Sequence, residues 1–495
     1  MSAPRLAIIG GGVAGLTAAR AAALAGANVT VYESRDALGG AVGSAQVGEL
    51  TLDTGAESIA ARGRRALELL RELGLEESLC SPNGAGSWLR LSSGRSVPMP
   101  AGGLLGIPLH PGARGIRAAI GLRGSLRACR DLIIPAPVSL RASHTTSLGA
   151  LVSARLGSRV RTELVAPVTR GVYSADPEDL DPALAAPGLL EAYARTGSLI
   201  RAARELRAAA VPGAAVRGIS GGLHTLVARL AEDAAARGVS LRTHTEVTGL
   251  VEGPTGWRLT LSGGESVTAD AVLLAGATAP AQELLGALGV ETGGADVSIV
   301  TLVVDAPELS SAPRGNGVLV AEAPSDSPRR VRAKALTHSS AKWSWLADAL
   351  SAAGAGQQRH AIRLSYGVGA SDAPHLGEAP DGETARIDLA LADASELLGV
   401  PLTRDQLRAG HVAHWRGTQP GAAHGRAERT AQIRATLAEQ GTAGTLDGAG
   451  AWLAGTGLAA VIPDAEAAAE RLLAALGALP SAHLHTEPLN DGTPE

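Results

Sequence analysis

Residues 5–15 read RLAIIGGGVAG, and this stretch decides the fold of the N-terminal part of the chain. The apolar run LAII is typical of a buried strand, and the small and apolar residues after the glycines are typical of a helix that packs closely on that strand. The stretch therefore predicts a strand, a tight glycine turn and a helix in direct succession.

The glycines of this turn have the spacing of a dinucleotide-binding fingerprint. Gly10 permits the turn, Gly12 lets a pyrophosphate approach the backbone, and Gly15 lets the helix pack on the strand. A second strand, NVTVYES (28–34), brings Glu33 to the place, about 20 residues on, where an acidic side chain binds the ribose hydroxyls. Together these features predict a dinucleotide site.

Two further glycine-rich stretches favour FAD over a nicotinamide cofactor. Gly39 and Gly40 follow the second strand, in a segment that resembles the R-x-x-x-G-G pattern of glutathione-reductase-like FAD proteins. The stretch LDTGAESI (52–59) is similar to the D-x-G-A-E segment beside the flavin in the same proteins. Each stretch alone is compatible with a surface loop, but their order favours a single extended cofactor.

Composition limits the remaining function classes. A net charge of −4 gives no charge signature of nucleic-acid binding. Cys80 and Cys129 are the two cysteines, which excludes a disulfide framework and is typical of a reducing cytosol. No apolar run reaches the roughly 18 residues of a membrane span, so we expect a cytoplasmic protein. The chain has no phenylalanine, so we expect a substrate cleft lined by aliphatic side chains.

The pattern along the chain predicts an α/β fold with a discontinuous nucleotide domain. Strand and glycine-turn patterns assign residues 1–80, 216–290 and 412–477 to this domain. A mixed β-sheet substrate domain is predicted from residues 81–99 and 291–411. Arg-rich apolar helices are predicted over 112–133, 147–168 and 188–210, and they indicate a helical insertion at 100–215. The polar end of the chain, residues 478–495, is expected to be disordered.

From about residue 5 to 475 the chain resembles the FAD-dependent protoporphyrinogen and coproporphyrinogen oxidases of heme biosynthesis, within the monoamine-oxidase-like flavoprotein superfamily. The resemblance rests on VAPVTRGVYSADPEDL (165–180), RGISGGLHTLVARL (217–230), SDSPRRVRAKALTHSSAKW (325–343) and LAGTGLAAVIPDAEAAAERL (453–472). It implies a Rossmann-type FAD domain of the glutathione-reductase and amine-oxidase kind, with FAD held non-covalently.

The resemblance also implies the residues that contact FAD. Val247 would reach the adenine through its backbone, and Trp415 would lie at the flavin ring. Val461, Ile462 and Pro463 would lie there too, and the following helix would point its N-terminus at the ring and stabilise the anionic reduced flavin. The full set is Gly10, Gly11, Gly12, Val13, Ala14, Gly15, Glu33, Ser34, Gly40, Ala41, Gly55, Ala56, Glu57, Ser58, Val247, Trp415, Gly455, Val461, Ile462 and Pro463.

The implied activity is removal of six electrons from a porphyrinogen in three steps, with hydride transfer to the flavin, reoxidation by molecular oxygen and release of hydrogen peroxide. No catalytic triad and no metal are expected. Coproporphyrinogen III is favoured over protoporphyrinogen IX, because its four propionates suit a soluble enzyme with arginines at the rim of its cleft. A transient contact with ferrochelatase and a peripheral contact with the inner face of the membrane are left open.

Several charged residues allow two interpretations. Arg62 and Arg170 are candidates to bind the substrate carboxylates, and each is also compatible with a solvated surface arginine. The basic segment from Arg114 to Arg141 is compatible with a solvated helix face or a membrane-surface helix. Structural or surface roles are expected for His224, His338 and His424, since their sequence neighbours lack metal-ligand spacing.

Three alternatives remain at this stage. A flavin amine oxidase or a carotenoid desaturase would share the FAD motifs, although amine oxidases typically frame the flavin with paired aromatic residues and no tyrosine follows Tyr366 here. A flavin- or porphyrin-binding protein without turnover is the third. It stays open because the aromatic P-Q-Y-x-x-G-H pattern of the family is replaced by QPGAAHG (419–425).

Overall fold

The structure, a computed structural model, describes residues 3–61, 63–134, 147–209, 216–276, 279–290, 294–323, 331–354, 358–367, 382–420 and 425–478. Its strands are β1 Arg5–Ile9, β2 Asn28–Tyr32, β3 Ser44–Val47, β4 Leu50–Asp53, β5 Ile59–Ala60, β6 Leu79–Cys80, β7 Trp88–Arg90, β8 Ser96–Pro98, β9 Val216–Ile219, β10 Ser240–Arg242, β11 Val247–Gly253, β12 Gly256–Leu261, β13 Ser266–Ala269, β14 Ala271–Leu274, β15 Gly294–Asp305, β16 Gly317–Val320, β17 Ala335–His338, β18 Arg359–Tyr366, β19 Leu407–Pro420 and β20 Leu446–Gly448. Its helices are α1 Val13–Leu24, α2 Arg64–Glu72, α3 Arg114–Ile133, α4 Leu148–Leu156, α5 Ser158–Val160, α6 Ala166–Tyr173, α7 Pro182–Ala185, α8 Leu189–Thr196, α9 Leu199–Ala209, α10 His224–Ala236, α11 Ala279–Ala287, α12 Ser339–Lys342, α13 Ser344–Ala353, α14 Glu383–Leu398, α15 Arg426–Gln440, α16 Ala451–Ala454 and α17 Leu458–Ala475.

A five-stranded parallel sheet forms the nucleotide half, with the strand order β10-β2-β1-β14-β20. Its strands come from all three separated stretches that the sequence assigns to this half. Alternate residues of β1 face opposite sides: Leu6 and Ile8 pack against α1 and α17, while Ala7 and Ile9 pack under the β11-β12-β13 sheet. The discontinuous chain therefore builds one layered core.

A seven-stranded sheet forms the second half, with the order β19-β15-β18-β17-β16-β7-β8. The inclusion of β7 and β8 agrees with the predicted assignment of residues 81–99. The predicted boundary between 411 and 412 needs correction, because it lies inside β19. This strand pairs with β15 from Leu407 to Pro420 and therefore stays in the second sheet throughout.

The helical insertion is present, but its helices are shorter than predicted. The helix predicted over 147–168 is interrupted at Gly157, and the one predicted over 188–210 is interrupted at Gly197. The φ angles of these glycines, 96° and 66°, are incompatible with a continuous right-handed helix. One turn of π-helix, Arg161–Val165, precedes α6.

The basic helix α3 exposes both charged and apolar side chains. Leu122, Leu126 and Ile133 are 62%, 60% and 78% exposed, on a helix whose arginines lie between them. The predicted segment extends to Arg141, which lies outside the described residues, as does the predicted disordered tail from 479 onward. Within the described ranges, no helix combines the length and apolar character needed to cross a membrane.

Gly15 is required by the packing of α1 on β1. A Cβ atom at this position would lie 1.9 Å from the carbonyl oxygen of Gly10, a distance that no rotamer can relieve. We expect Gly15→Ala to lower the thermal unfolding midpoint strongly or to abolish soluble expression.

Gly286→Ala in α11 is the matched control for this substitution, because a Cβ there would meet nothing within 4 Å. Alanine is favoured over glycine in a helix by about 0.5–1 kcal/mol, so we expect an unchanged or raised midpoint. Equal melting of the two variants would contradict the packing argument.

Candidate functional site

Three glycine-rich stretches stack against one another at the end of the five-stranded sheet. The N–H of Gly39 donates to the carbonyl of Gly11 at 2.9 Å, and Gly12 forms a parallel bridge with Gly39. The N–H of Ala56 then donates to the carbonyl of Ala41 at 2.9 Å. The predicted contacts at 10–15, 40–41 and 55–58 are thereby brought together as one backbone surface.

Gly12, unlike Gly15, is not required by the packing of the protein itself. Its φ and ψ of −75° and 179° are open to any residue, and a Cβ would come no closer than 3.7 Å to another atom. The protein's own packing therefore leaves room for a side chain at this position. A glycine here fits a ligand that runs along the backbone at the N-terminus of α1, as a pyrophosphate does.

The Glu33 carboxylate is fixed at the same turn. It accepts hydrogen bonds from the N–H of Gly11 at 2.8 Å and from the N–H of Arg35 at 3.0 Å. The Ser34 hydroxyl donates to it at 3.4 Å. An acidic group is thus held at the end of β2, where the sequence predicts the ribose contact.

The segment before β11 runs alongside this turn. The N–H of Thr245 donates to the carbonyl of Glu33 at 2.8 Å, and the N–H of His244 donates to that of Arg35 at 2.9 Å. Val247 follows directly and is buried with Ile9 and Tyr32. The structure thus brings the predicted adenine contact to the same edge of the sheet as Glu33.

The C-terminal stretch reaches the glycine turn from another direction. Helix α17 begins after Gly457, and its residues Val461 and Ile462 are buried against the side chains of Ala14 and Val13. Pro463 lies in the second turn of this helix, and Gly455 precedes the helix. The N-terminal ends of α1 and α17 therefore lie side by side, which suits a ligand that carries negative charge.

Trp415 connects the seven-stranded sheet to the 52–58 stretch. Its indole N–H donates to the carbonyl of Thr54 at 2.9 Å, and its side chain is buried. A Cβ on Gly55 would lie 3.3 Å from its ring, and the Arg35 guanidinium lies 5.4 Å from the ring centroid. The predicted flavin-ring residue thus contacts the segment predicted to lie beside the flavin.

A buried ionic cluster centred on Glu57 joins the same two parts. Lys342 contacts one carboxylate oxygen at 2.5 Å, and Arg363 contacts the other at 2.7 Å while it also donates to the carbonyl of Gly55. Burial raises the pKa of the Glu57 carboxyl, but the charges and hydrogen bonds of Lys342 and Arg363 outweigh burial and lower this pKa to about 2. Glu57 is therefore ionised at neutral pH.

Sequence reasoning missed Lys342 and Arg363 as partners of Glu57. The SSAKW segment that contains Lys342 stood out only through its family resemblance. The structure gives this segment a role. Helix α12 brings Lys342 into contact with the Glu57 carboxylate, and the Ser339 hydroxyl lies 3.4 Å from the same carboxylate.

Asp53 binds the second stretch on which the family resemblance rests, residues 217–230. Its carboxylate accepts from the N–H groups of Leu223 and His224 at 2.8 and 2.9 Å, and it lies 2.8 Å from Nδ1 of the His224 ring. An acceptor at the start of α10 caps the helix and complements its dipole. The structural role expected for His224 agrees with this contact.

The two faces of the seven-stranded sheet differ in burial. One face is packed against α14, with Val300, Leu302 and Leu364 in the shared core. On the opposite face, which we call the sheet floor, several side chains are only partly buried, and they are small, aliphatic or hydroxylated. They are Ile299, Leu319, Ala335, Thr337 and Ser365.

Helix α6 covers one end of this floor. A Cβ on Gly171 would lie 2.6 Å from the Leu319 side chain, so the helix lies directly on the sheet. Lys334 donates to the Ser174 hydroxyl just beyond the helix and is 6% exposed. Burial lowers the pKa of the Lys334 amine to about 7. This contact joins the GVYSADPEDL and KALTHSSAKW stretches on which the family resemblance rests.

The two arginines proposed for substrate carboxylates have different outcomes. Arg62 lies outside the described residues. Arg170 is mostly buried and is already engaged by Asp176 at 2.5 Å and Glu322 at 2.6 Å. Two carboxylates of the protein therefore already compensate the charge of Arg170.

The histidines behave as structural residues where they are described. His338 is fully buried, with its Nε2 3.2 Å from Nδ1 of His360. Burial and the nearby His360 lower the pKa of His338 to about 4. His424 lies outside the described residues. In the described part of the chain, no cluster of three or more acidic, histidine or cysteine side chains has the geometry to hold a metal ion.

Comparison with known proteins identifies the family. Residues 13–293 match the model of the family described as flavin containing amine oxidoreductase. The chain belongs to this family. It is an FAD-dependent oxidoreductase, and the α/β fold and the FAD cofactor inferred from the sequence are confirmed. The resemblance to protoporphyrinogen and coproporphyrinogen oxidases is confirmed by the relatives below.

Two curated relatives illustrate matches over nearly the whole chain. Coproporphyrinogen III oxidase of Propionibacterium freudenreichii is 30% identical over 519 residues, which covers 96% of this chain and 92% of that protein. The enzyme of the same name from Mycobacterium tuberculosis is 29% identical over 485 residues, which covers 95% of this chain and 98% of the relative.

Solved structures share the fold. One is a protein from Exiguobacterium sp. 255-15 to which the name protoporphyrinogen oxidase has been assigned; its TM-score is 0.81 and its sequence identity is 23%. The match covers 96% of this chain and 100% of that protein. Cyclohexylamine oxidase from Brevibacterium oxydans has a TM-score of 0.60 and 16% identity, with 96% and 100% coverage.

The room around Gly12 allows a test of the cofactor path. We expect Gly12→Val to fold, because the backbone permits valine and a Cβ there meets no atom closer than 3.7 Å, but to lose FAD because the branched side chain occupies the pyrophosphate path. Far-UV circular dichroism and the flavin-to-protein ratio of the purified variant measure the two effects. Stoichiometric flavin in the variant would contradict the placement.

The ionic cluster predicts a defined acid response. Because the Glu57 pKa falls from 4.5 to about 2 on folding, its contribution to stability is present above pH 4.5 and is lost as the pH falls toward 2. Glu57→Gln leaves two buried cations without their counter-charge, so we expect a loss of about 3 kcal/mol at pH 7 and a shallower acid slope between pH 4.5 and 2.

Glu265→Gln is the control for Glu57→Gln, because Glu265 pairs with Arg242 at an exposed position. Denaturant titrations across the pH range compare both variants with the wild type. A Glu57→Gln protein as stable as the control variant would exclude the cluster as a stabilising contact.

Proposed function

We propose that the chain oxidises coproporphyrinogen III to coproporphyrin III in heme biosynthesis, with protoporphyrinogen IX as the alternative substrate. The similarity over nearly the full length of proteins named coproporphyrinogen III oxidase supports this reaction. The structural observation that carries it is the partly exposed floor of the seven-stranded sheet, whose end contacts the 54–57 stretch through Trp415 and Arg363.

The floor suits a wide, apolar macrocycle. Ile299 presents aliphatic surface beside the part of the sheet that α6 covers, and a macrocycle that lies on it is kept from water on that side. Arg62 remains our proposed partner for a substrate carboxylate. The residues predicted to contact FAD, from Gly10 to Pro463, are proposed to do so, and residues 1–80, 216–290 and the C-terminal stretch after β19 are proposed as the FAD-binding part.

Bound FAD supplies the acceptor for two-electron oxidation of the macrocycle. The chain's own residues position the two reactants: the stacked glycine stretches hold the cofactor edge, and the sheet floor orients the substrate. We propose molecular oxygen as the final electron acceptor, so that one porphyrinogen and three oxygen molecules give one porphyrin and three molecules of hydrogen peroxide.

Anaerobic mixing tests the substrate class. We expect coproporphyrinogen III to bleach the flavin absorption band of the FAD-loaded protein rapidly, protoporphyrinogen IX to do so more slowly, and benzylamine to leave the band unchanged. On admission of oxygen, the band should return and three equivalents of hydrogen peroxide should form per porphyrin.

Each other outcome of the mixing experiment selects a different function. Bleaching by benzylamine alone would identify an amine oxidase. An unbleached flavin with all three compounds would leave a flavin- or porphyrin-binding protein without turnover. Faster bleaching by protoporphyrinogen IX would reverse the substrate preference.

A further inference from the structure

A wide groove lies where the β7–β8 hairpin meets the helical insertion. It is partly open to solvent, and its volume is about 940 Å³. Its walls are the hairpin turn, the first half of α3 and the segment 159–163, and hydroxyls of the turn border the same space as the charged side chains. The charged lining residues are Arg95, Arg117, Arg159 and Glu163. Arginines from three separate elements therefore line one groove.

The protein does not neutralise these three arginines. Among the described residues, none of them forms an ion pair with a carboxylate, and Arg95 donates to the carbonyl of Ala118 at 2.6 Å. Other arginines of the chain are paired, as Arg434 is with both Asp447 and Asp464. The chain has a net charge of −4, so the groove is a local concentration of positive charge on a protein that is negative overall.

Glu163, the acidic residue of the groove lining, is bound by the hairpin. Its carboxylate accepts from the N–H of Ser92 at 3.0 Å and from the Ser92 hydroxyl at 2.5 Å. Glu163 thereby holds the turn in place, and its oxygens are used by Ser92 and not by a guanidinium group. Three arginines and one glutamate give the lining a formal charge of +2.

The walls of the groove are fixed by the core beneath them. Leu91 and Val97 of the hairpin are buried in one apolar cluster with Ile116 of α3. A Cβ on Gly124 of α3 would lie 3.4 Å from Cδ of Arg159, so the stem of this arginine lies against the same helix. A site whose walls are held in place loses less conformational entropy when a ligand binds.

The lining selects the chemical class of ligand. Guanidinium groups and hydroxyls are donors that match the oxygens of phosphate, and a phosphate monoester carries a charge of about −1.5 to −2 at pH 7, close to the opposite of the lining charge. A single carboxylate carries half of that. The volume lies within the roughly 300–1,000 Å³ that small-molecule sites occupy. We propose that this groove binds a phosphate monoester group.

The groove is separate from the predicted cofactor edge. Strand β8 is the last strand of the seven-stranded sheet, and β19, which carries Trp415, is the first. Six strand spacings of about 4.8 Å each separate these edges. The proposal is therefore independent of the substrate that the protein oxidises.

Isothermal titration calorimetry of the FAD-loaded protein with glycerol 3-phosphate, at constant ionic strength, tests the ligand class. We expect saturable binding of one molecule per chain, and binding of acetate at least tenfold weaker. An absence of saturable binding by glycerol 3-phosphate would overturn the proposal, as would equal affinity for acetate.

A pair of double variants tests the place of binding. We expect Arg117→Gln/Arg159→Gln to weaken the binding of glycerol 3-phosphate at least tenfold. The control is Arg123→Gln/Arg130→Gln, which removes the same charge from exposed positions of α3 that do not line the groove, and here we expect a change below twofold. Equal effects of the two double variants, or unchanged binding in the first, would refute the assigned site.

The folding of these variants is checked by their thermal midpoints without ligand. Arg117 and Arg159 are exposed, so we expect midpoints close to that of the wild type. The single variant Arg117→Gln, with at least threefold weaker binding expected, replaces the double variant if the latter melts early. Unchanged binding in a folded Arg117→Gln protein would then count against the groove.

Sedimentation with vesicles distinguishes a soluble ester from a lipid headgroup. Phosphatidylcholine vesicles with and without phosphatidic acid are compared, in the presence and absence of glycerol 3-phosphate. Binding that needs phosphatidic acid, is competed by glycerol 3-phosphate and is lost in Arg117→Gln/Arg159→Gln supports the site with a lipid as its source. No vesicle binding, with calorimetric binding retained, supports the site with a soluble phosphate ester as its source.

Discussion

The contact of Arg363 with Gly55 and Glu57 is the interaction on which the arrangement of the two sheets depends. Arg363 belongs to the floor of the seven-stranded sheet, whereas Gly55 and Glu57 belong to the stretch that stacks on the N-terminal glycine turn. A buried carboxylate shared by two cations is costly to separate, because each partner would remain desolvated and unpaired. The contact therefore fixes the distance between the predicted cofactor edge and the sheet floor.

Two glycines of the same motif serve different purposes, and the structure separates them. Gly15 is needed by the protein, since a Cβ there would lie 1.9 Å from the Gly10 carbonyl oxygen. Gly12 is not needed by the protein's own packing, yet it borders the N-terminus of α1 and the Gly39–Gly40 turn. The first glycine explains how the helix approaches the strand, and the second is explained by a ligand that passes between two backbone segments.

Local patterns predicted the parts of the site that are local in sequence. The turn at Gly10 and the position of Glu33 depend on a few consecutive residues, so spacing indicated them, and the 55–58 stretch was indicated by its likeness to a short family segment. Trp415 was predicted at the flavin ring only through family resemblance, since its partner Thr54 is 361 positions away. Arg363 gave no signal, because an arginine in a strand is read as exposed unless the residue opposite it is known.

Strand boundaries failed for a related reason. The end of β19 is set by its pairing with β15 up to Pro420, and register between distant strands cannot be read from either strand alone. The interruptions at Gly157 and Gly197 were overlooked because apolar periodicity continues through them, although the backbone does not. Here a glycine within a helical pattern carried more information than the pattern itself.

The lack of phenylalanine is consistent with the architecture of the sheet floor. Aromatic side chains usually provide large contact area, but on a partly exposed sheet floor contact area arises from several smaller residues held at fixed spacing by strand pairing. Ile299, Ala335 and Leu319 lie on one face because β15, β18, β17 and β16 pair in register, so the shape of the floor belongs to the sheet. The tight fit of Gly171 on Leu319 covers one end of this floor, so the surface that remains for a ligand lies toward Ile299.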